Sequence, residues 1–163
     1  MAMGIDVVQA PPALTSDLCW LLMRASHNLT TEITAALEDL RISPRAHAVL
    51  TTAMSGEHTQ TEIARIVGLD KTTMVVTVDE LEADGLAERR PSSTDRRARV
   101  IAVTEAGKRT VKKADRVLDR VRDDVLSVLP AEERRVFLDS LAQLACGRLS
   151  EPVACAQPVR RPR

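Results

Sequence analysis

The chain has 163 residues, and its 23 Lys and Arg residues balance 23 Asp and Glu residues, so the formal net charge is zero. Tyrosine is absent, and Trp20 and Phe137 are the single tryptophan and phenylalanine. So few aromatic rings argue against proteins that stack single-stranded nucleic acid on them, and favour a helical core of aliphatic residues. The length fits one domain, or one compact unit with long helical extensions.

The charges are distributed unevenly along the chain. Residues 1–87 carry 5 basic and 12 acidic side chains, whereas residues 88–163 carry 18 and 11. A local basic patch matters more for phosphate binding than the total charge does. The basic residues of 105–135 are equally well explained as a solvated helix face.

Cysteine usage and hydropathy exclude several classes. Cys19, Cys146 and Cys155 show no CxxC or Cys/His spacing, so we expect no disulfide framework, metal site or cofactor. No apolar run approaches the ~20 residues that span a bilayer, and no secretion signal is present, so the sequence predicts a cytoplasmic protein. It shows no nucleophile–base pair and no phosphate-cradling glycine loop, which argues against an enzyme.

The first predicted elements are a flexible arm over residues 1–14 and a long helix over 15–42. Thr15 or Ser16 is expected to cap this helix, and its apolar residues recur at spacings of three and four for about six turns. The helix is therefore one-sided, and a long one-sided helix near a terminus often packs on another chain.

Three shorter helices are predicted next, within residues 43–85. Ser43 with Pro44 opens the first of them, and Thr59 with Glu62 forms a capping box for the second, which stops at Gly68. Asp70 caps the third, which continues to residues 84–85. Its predicted inward positions are Met74, Val78 and Leu81.

A β-hairpin and two more helices complete the prediction. Strands are expected at 86–90 and 99–103, joined by a turn at 91–95. Thr104 is expected to cap a long helix, and Pro130 to start the last one, so that residues 104–149 are helical. Residues 150–163 contain three prolines and predict a disordered tail.

The stretch from Thr59 to Gly107 therefore has the outline of a winged helix-turn-helix. In such a lobe the second helix lies in the DNA major groove and a basic hairpin lies on the backbone beside it. A plain helical hairpin in a bundle, with the valines packed inside, would also explain the two helices, and a charged, solvent-exposed edge that prevents strand aggregation would also explain the arginines.

Several motifs resemble the MarR family of bacterial transcription regulators. They are TQTEIARIVGLD before the predicted recognition helix, the series Leu81, Gly85 and Leu86, and above all DRRARVIAVTEAG at 95–107. The resemblance covers about 135 residues, from Thr15 to Leu149. It implies a mainly α fold with a small β-hairpin, in which a winged helix-turn-helix lobe at 43–103 is joined to dimerisation helices at 15–42 and 104–149.

The resemblance also implies a function and its residues. We expect a homodimer that binds a pseudo-palindromic operator, usually as a repressor. A small aromatic or phenolic effector is expected to release it from the DNA. Asp95 is expected to pair with a neighbouring arginine at the wing tip. The predicted DNA-binding residues are Thr59, Gln60, Lys71, Thr72, Thr73, Val75, Val76, Arg89, Arg90, Ser93, Asp95, Arg96, Arg97 and Arg99. The predicted dimer interface comprises Leu14, Leu18, Cys19, Leu21, Val117, Val121, Phe137, Leu141 and Leu144.

Two features depart from the family pattern. The predicted recognition helix has one basic residue, Lys71, and is acidic towards its end, so the wing must supply most of the attraction to DNA. Its acidity keeps open an alternative, a winged helix that docks on proteins. Some peroxide-sensing members of the family use a cysteine at about the position of Cys19, and tyrosines hold and activate it. This chain has no tyrosine, so interface packing is the preferred role for Cys19, and a redox-sensing repressor is the alternative.

Overall fold

The computed structural model describes residues 10–95, 97–151 and 153. Three of the sequence predictions fall outside the described residues: most of the N-terminal arm, Arg96 of the wing, and most of the tail with Cys155. The chain forms two compact units, Met1–Val121 and Arg122–Arg163. The predicted helix at 15–42 and the predicted lobe at 43–103 belong to the same unit.

The mainly helical fold with one β-hairpin is confirmed. The six predicted helices correspond to α2 to α7 below, and a short α1 precedes them. Short 3-10 turns cover Glu38–Leu40 and Leu126–Val128, and a π-helical turn covers Leu144–Arg148. The other elements are α1 (Pro12–Thr15), α2 (Leu18–Ala36), α3 (Pro44–Met54), α4 (Gln60–Val67), α5 (Lys71–Ala83), β1 (Ala87–Pro91), β2 (Arg99–Val103), α6 (Glu105–Val125) and α7 (Ala131–Gln143).

The start of the long N-terminal helix differs from the prediction. Thr15 and Ser16 do not cap α2, because both lie at the end of α1 and their hydroxyls donate to the carbonyl of Pro12. Asp17 caps α2 instead, and its carboxylate accepts a hydrogen bond of 2.6 Å from the backbone amide of Trp20. Pro12 occupies the first turn of α1, where its missing N–H costs nothing.

The predicted caps of the next three helices are confirmed. The Ser43 hydroxyl accepts from the amide of the third residue of α3. Thr59 and Glu62 form a reciprocal capping box at the start of α4, with the Thr59 amide donating to Glu62 at 2.7 Å. Gly68 ends α4 in the left-handed conformation at φ 75°, and Asp70 then caps α5. The chain therefore turns sharply between α4 and α5.

The core of the first unit lies where α3, α4 and α5 meet the hairpin and the first part of α6. The predicted inward residues of α5 are buried, and Thr77 is buried beside them. The Thr77 hydroxyl donates to the carbonyl of Thr73 at 2.8 Å, so its burial leaves no unpaired polar group. The buried cluster includes Leu37, Val49, Leu50, Ile63, Met74, Val78, Leu81, Ile101, Val111 and Ala114.

The first strand is shifted by one residue from the prediction, and the hairpin has a third partner. β1 and β2 pair antiparallel, from Ala87 opposite Val103 to Pro91 opposite Arg99. Pro91 thus belongs to the strand, and the loop at the tip covers 92–98 rather than 91–95. The segment before α4 also pairs with β2, because the Ile101 amide donates to the carbonyl of His58 at 3.1 Å. The hairpin is therefore attached directly to the start of α4.

Thr104 and Gly107 attach the start of α6 to the end of the α5 region. The Thr104 hydroxyl donates to the carbonyl of Gly85 at 2.7 Å and accepts from the Gly107 amide at 3.0 Å. A Cβ on residue 107 would lie 2.1 Å from the carbonyl oxygen of Leu86 and 2.7 Å from Val103 Cγ1. The backbones approach so closely that glycine is required there.

Gly107→Ala is expected to destabilise the first unit by at least about 1–3 kcal/mol, although alanine favours helices, because the backbone must move to admit the methyl group. Gly56→Ala is the control, since its Cβ would meet a single atom at an ordinary 3.6 Å. Urea denaturation followed by circular dichroism measures both variants. Equal free energies of unfolding for the two would contradict the close approach.

Much apolar surface stays uncovered within each unit. Helix α2 has no buried residue over its 19 positions, and α7 has none over its 13. Within the described residues, no helix is long and apolar enough to cross a membrane. Exposed large apolar side chains include Leu18, Leu21, Met23 and Leu29 in the first unit, and Val125, Val128, Val136, Phe137, Leu138, Leu144 and Leu149 in the second.

Candidate nucleic-acid interface

The N-terminus of α5 is held by its cap and presents two free polar side chains. Asp70 accepts from the Thr73 amide at 2.9 Å and from the Thr73 hydroxyl at 2.6 Å. The hydroxyl of Thr73 is therefore engaged inside the lobe, and Thr73 is half-buried. Lys71 and Thr72 are exposed, so of the predicted residues in this turn these two are available to a ligand.

Acidification is expected to weaken this cap. Hydrogen bonds from the Thr73 hydroxyl, and then from its backbone amide, lower the pKa of Asp70 below its ordinary value of 3.8. A carboxylate with a depressed folded-state pKa stabilises the fold above its ordinary pKa, and that contribution is lost as the pH falls through the folded value. We expect the thermal midpoint to fall more steeply below about pH 4 in the wild type than in Asp70→Asn, because asparagine caps without titrating.

Melts followed by circular dichroism at a series of pH values measure this difference. The other carboxylates whose pKa is lowered, Glu57, Glu62 and Glu105, are present in both proteins, so their effect cancels in the comparison. Parallel curves for the two proteins would show that Asp70 contributes nothing to the pH dependence.

The middle of α5 is less exposed than its start. Val76 is 48% exposed, whereas Val75 is half-buried. Of the two adjacent valines predicted to face the groove, Val76 presents the larger apolar surface. Asp79 and Glu80 follow on exposed positions, so the available face changes from basic and polar to acidic along the helix.

Arg89 on β1 lies against these acidic residues. Its Nη2 donates to Asp79 at 2.7 Å, its Nη1 donates to Glu82, and its backbone amide donates to Glu82 at 2.7 Å. Its guanidinium also lies 3.3 Å from the side-chain oxygen of Gln60 at the start of α4. The sequence groups Arg89 with the DNA-contacting arginines, but the structure shows a guanidinium that joins the hairpin to α4 and α5.

The hairpin carries its exposed arginines further out. Arg90, Arg97 and Arg99 are all exposed. Asp95 accepts from the backbone amide of Arg97 at 2.9 Å, and its carbonyl accepts from the amide of Ala98 at 3.0 Å. Asp95 therefore shapes the loop through the backbone, and its pairing with an arginine side chain stays a prediction.

Glu57, in the loop between α3 and α4, was missed by the sequence reasoning. Its carboxylate accepts from the Ser92 hydroxyl at 2.8 Å and from the Ser93 amide at 2.9 Å. These two bonds, in that order, lower the pKa of Glu57 from its ordinary value. Ser93 was predicted to bind DNA, and its backbone amide is already used here. A local sequence pattern does not predict these contacts, because Ser92 and Ser93 lie 35 and 36 positions beyond Glu57 in the chain.

The remaining predicted DNA-binding residues lie at the start of α4. The Thr59 hydroxyl and amide are both engaged in the capping box with Glu62. Gln60 is half-buried beside Arg89. The structure thus brings together the start of α4, the second half of α5 and the middle of β1, which Arg89 joins.

The residues predicted for the dimer interface are distributed over both units. Leu14 and Val121 are half-buried, and Val117 packs partly against the core of the first unit. Cys19 is exposed, as is Cys146, and both are free thiols. No group of three or more potential metal ligands occurs among the residues that the structure describes. The other members are Leu18 and Leu21 in the first unit, which are exposed, and Phe137, Leu141 and Leu144 in the second, of which Leu141 is half-buried.

This lobe and the fold around it are similar to those of known proteins. The model of the MarR family matches residues 42–98, from just before α3 to the tip of the hairpin. The structure of CouR from Rhodococcus jostii RHA1 bound to p-coumaroyl-CoA is 29% identical, with a TM-score of 0.75 over 84% of this chain and 97% of that one.

Two further structures agree with that result. A MarR-family transcriptional regulator from Rhodococcus sp. RHA1 is 29% identical, with a TM-score of 0.76 over 83% of this chain and 96% of that one. The repressor CouR bound to a 23-mer DNA duplex is 27% identical, with a TM-score of 0.75 over 82% of this chain and 96% of that one. The helix-turn-helix and the hairpin therefore match the MarR family model, and the chain is similar in fold to transcription regulators of that family.

Proposed function

We propose that the chain is a homodimeric, ligand-responsive transcription repressor that binds a pseudo-palindromic operator. Helix α5 would lie in the major groove and the hairpin would lie as a wing on the adjacent backbone. The observation that carries the proposal is the joining of α4, α5 and the hairpin into one body from which Lys71, Thr72 and Arg97 project. The similar repressor CouR, which has been solved on a DNA duplex, supports it.

The exposed side chains of α5 suit base contacts more than strong backbone attraction. Threonine hydroxyls bond either to bases or to phosphates, and the methyl groups of Thr72 and Val76 are suited to thymine methyls. The acidic residues further along α5 repel phosphate, and Arg89 neutralises part of that charge. Most of the attraction to the backbone would then come from Arg90, Arg97 and Arg99 of the wing, together with Arg96.

The uncovered apolar helices support a dimer. A helix as long as α2 does not stay in water with Leu18, Leu21 and Leu29 exposed unless another surface covers them. Helix α7 presents the same problem with Phe137 and Leu138. A second copy of the chain is the partner that would place two DNA-binding lobes at a fixed separation, as a pseudo-palindromic operator requires.

The effector is proposed as an aromatic or phenolic compound. The similar repressor CouR binds p-coumaroyl-CoA, whose acyl group carries a phenol, and this supports the same class for the present chain. Adding p-coumaroyl-CoA or free p-coumarate to the DNA complex tests it. Release of DNA by either compound supports the proposal, and no effect from a panel of such compounds would remove the aromatic class.

A binding assay across a salt series tests the main proposal. Upstream DNA from the chain's own genome should bind with an affinity that falls steeply as salt rises, because phosphate contacts release counterions. Thr72→Ala should change the preference among bases by ~1–3 kcal/mol for each lost base contact. An equal loss on every sequence would make Thr72 a backbone contact. Failure of the wild type to bind any duplex at low salt would overturn the proposal.

A second candidate is a winged helix that docks on another protein. The acidic, exposed side chains of Asp79 and Glu80 on α5, and of Asp84 at its C-cap, favour this alternative, since they suit a basic protein surface better than DNA. The same salt series separates the two, because the docking module would show no binding to duplex DNA.

A further inference from the structure

Glu57 belongs to neither the helix-turn-helix nor the hairpin, yet its carboxylate bonds to the hairpin tip. One oxygen accepts from the Ser92 hydroxyl at 2.8 Å and from the Ser93 amide at 2.9 Å, and the other lies 3.3 Å from the same amide. The carboxylate thus fixes two adjacent residues of the loop to the segment between α3 and α4.

Ser92 is the residue around which the tip folds. It is 8% exposed, which is unusual for a polar side chain in a hairpin loop. Its hydroxyl oxygen accepts from the Thr94 amide at 3.2 Å, and its own amide donates to the carbonyl of Ala98 at 3.0 Å across the loop. A group that fixes Ser92 therefore fixes both sides of the tip.

The remaining loop bonds extend this order to the exposed arginine. Ala98 donates to the carbonyl of Asp95, and the carboxylate of Asp95 accepts from the amide of Arg97. Glu57, Ser92 and Asp95 thus form a continuous series of hydrogen bonds from the α3–α4 loop to the backbone of Arg97. The direction of the Arg97 side chain depends on this backbone.

We propose that Glu57 is a positioning residue for DNA binding, whose carboxylate holds the wing tip where its arginines reach the phosphate backbone. This inference rests on the proposed function. It assigns Glu57 a role in DNA affinity, although a carboxylate is not itself expected to contact DNA.

The sign of the effect separates positioning from simple charge. A carboxylate near the DNA repels phosphate, so its removal should by itself raise the affinity. If Glu57 positions the wing, its removal should lower the affinity instead. Glu88 provides the matched control, since it is an exposed carboxylate on β1 of the same hairpin.

The test compares Glu57→Ala, Glu57→Gln and Glu88→Ala with the wild type, as full-length proteins. Hydrogen exchange at the amides of Ser93 and Arg97 reports the tip directly, and DNA binding across a salt series reports its function. We expect faster exchange and about tenfold weaker binding in Glu57→Ala, with a shallower salt dependence and unchanged base preference. Glu57→Gln keeps one acceptor oxygen and should bind DNA more tightly than Glu57→Ala. Glu88→Ala should bind as well as the wild type or better.

The outcomes are distinguishable. If the wild type binds no duplex, the proposed function fails and the inference fails with it. If the wild type binds and Glu57→Ala binds equally or more tightly, as Glu88→Ala does, the inference alone is overturned. A loss that comes from general unfolding would also speed exchange throughout α5 and reduce base preference, and this pattern too would overturn a positioning role.

Discussion

Replacing Arg97 with alanine is expected to weaken binding to every duplex and to flatten its salt dependence. Arg97 is exposed at the wing tip and its backbone is fixed by Asp95, so the side chain is free to reach phosphate. A dimer carries two wings, so the variant loses about two phosphate contacts and the log–log salt slope should fall by about two. The advantage of the wild type should therefore shrink by about tenfold between 50 mM and 200 mM salt.

Fluorescence anisotropy on an operator and on an unrelated duplex measures both quantities. Arg135→Ala is the matched control, because this arginine of α7 has a side chain 91% exposed and lies outside the 43–103 lobe. Its salt slope should equal that of the wild type. An unchanged slope in Arg97→Ala, or a loss confined to the operator, would contradict a phosphate-binding wing.

Leu18→Glu and Phe137→Glu are each expected to convert the proposed dimer into monomers. Both side chains are exposed within the single chain, at 57% and 46%, so a charge there does not disturb a core of the subunit. Buried in a dimer interface, the same charge would lack a partner and cost several kcal/mol. Two linked DNA-binding lobes bind about 10²–10⁴ times more tightly than one lobe alone, so the affinity for the operator should fall by a similar factor.

Sedimentation velocity gives the oligomeric state, and circular dichroism verifies that the helices persist. Met54→Glu is the control for oligomeric state, because Met54 is similarly exposed, at 47%, but lies at the end of α3, outside the predicted interface. Dimers that persist in both Leu18→Glu and Phe137→Glu would contradict the proposed interface on α2 and α7.

Local features of the fold were predictable because their causes are local. Capping by Ser43, Thr59 and Asp70 depends on bonds to amides three residues ahead, and Gly68 is required by a left-handed turn at its own position. The wrong prediction that Thr15 or Ser16 caps α2 also has a local cause. Several cap-forming residues precede α2, and the two prolines before them start an extra turn that changes which one is used.

Contacts between distant segments were not predictable from one sequence. Glu57 bonds to residues 35 and 36 positions away, and Thr104 bonds to Gly85 19 positions away. Both contacts depend on how the hairpin folds back on the helices. The requirement for Gly107 is similar, since it follows from the nearby carbonyl of Leu86 and not from a turn.

Sequence reasoning identified several exposed residues of α5, but not the partners of the other residues of the candidate site. The exposed Lys71, Thr72 and Val76 agree with a groove-facing surface, although Thr73 uses its hydroxyl within the lobe. Arginine spacing alone did not separate Arg89, which pairs with carboxylates of α5, from the arginines at the tip. That distinction requires knowing which strand residues lie beside the helix.

The contact at Gly107 has a mechanical consequence. Because the backbone at the start of α6 touches the carbonyl of Leu86 just beyond α5, the two helices have no freedom to slide past one another at this point. We therefore expect a tilt of α6 to move the end of α5 with it. In the proposed dimer, a compound that changes the tilt of α6 by a few degrees would alter the distance between the two DNA-binding lobes without unfolding either of them.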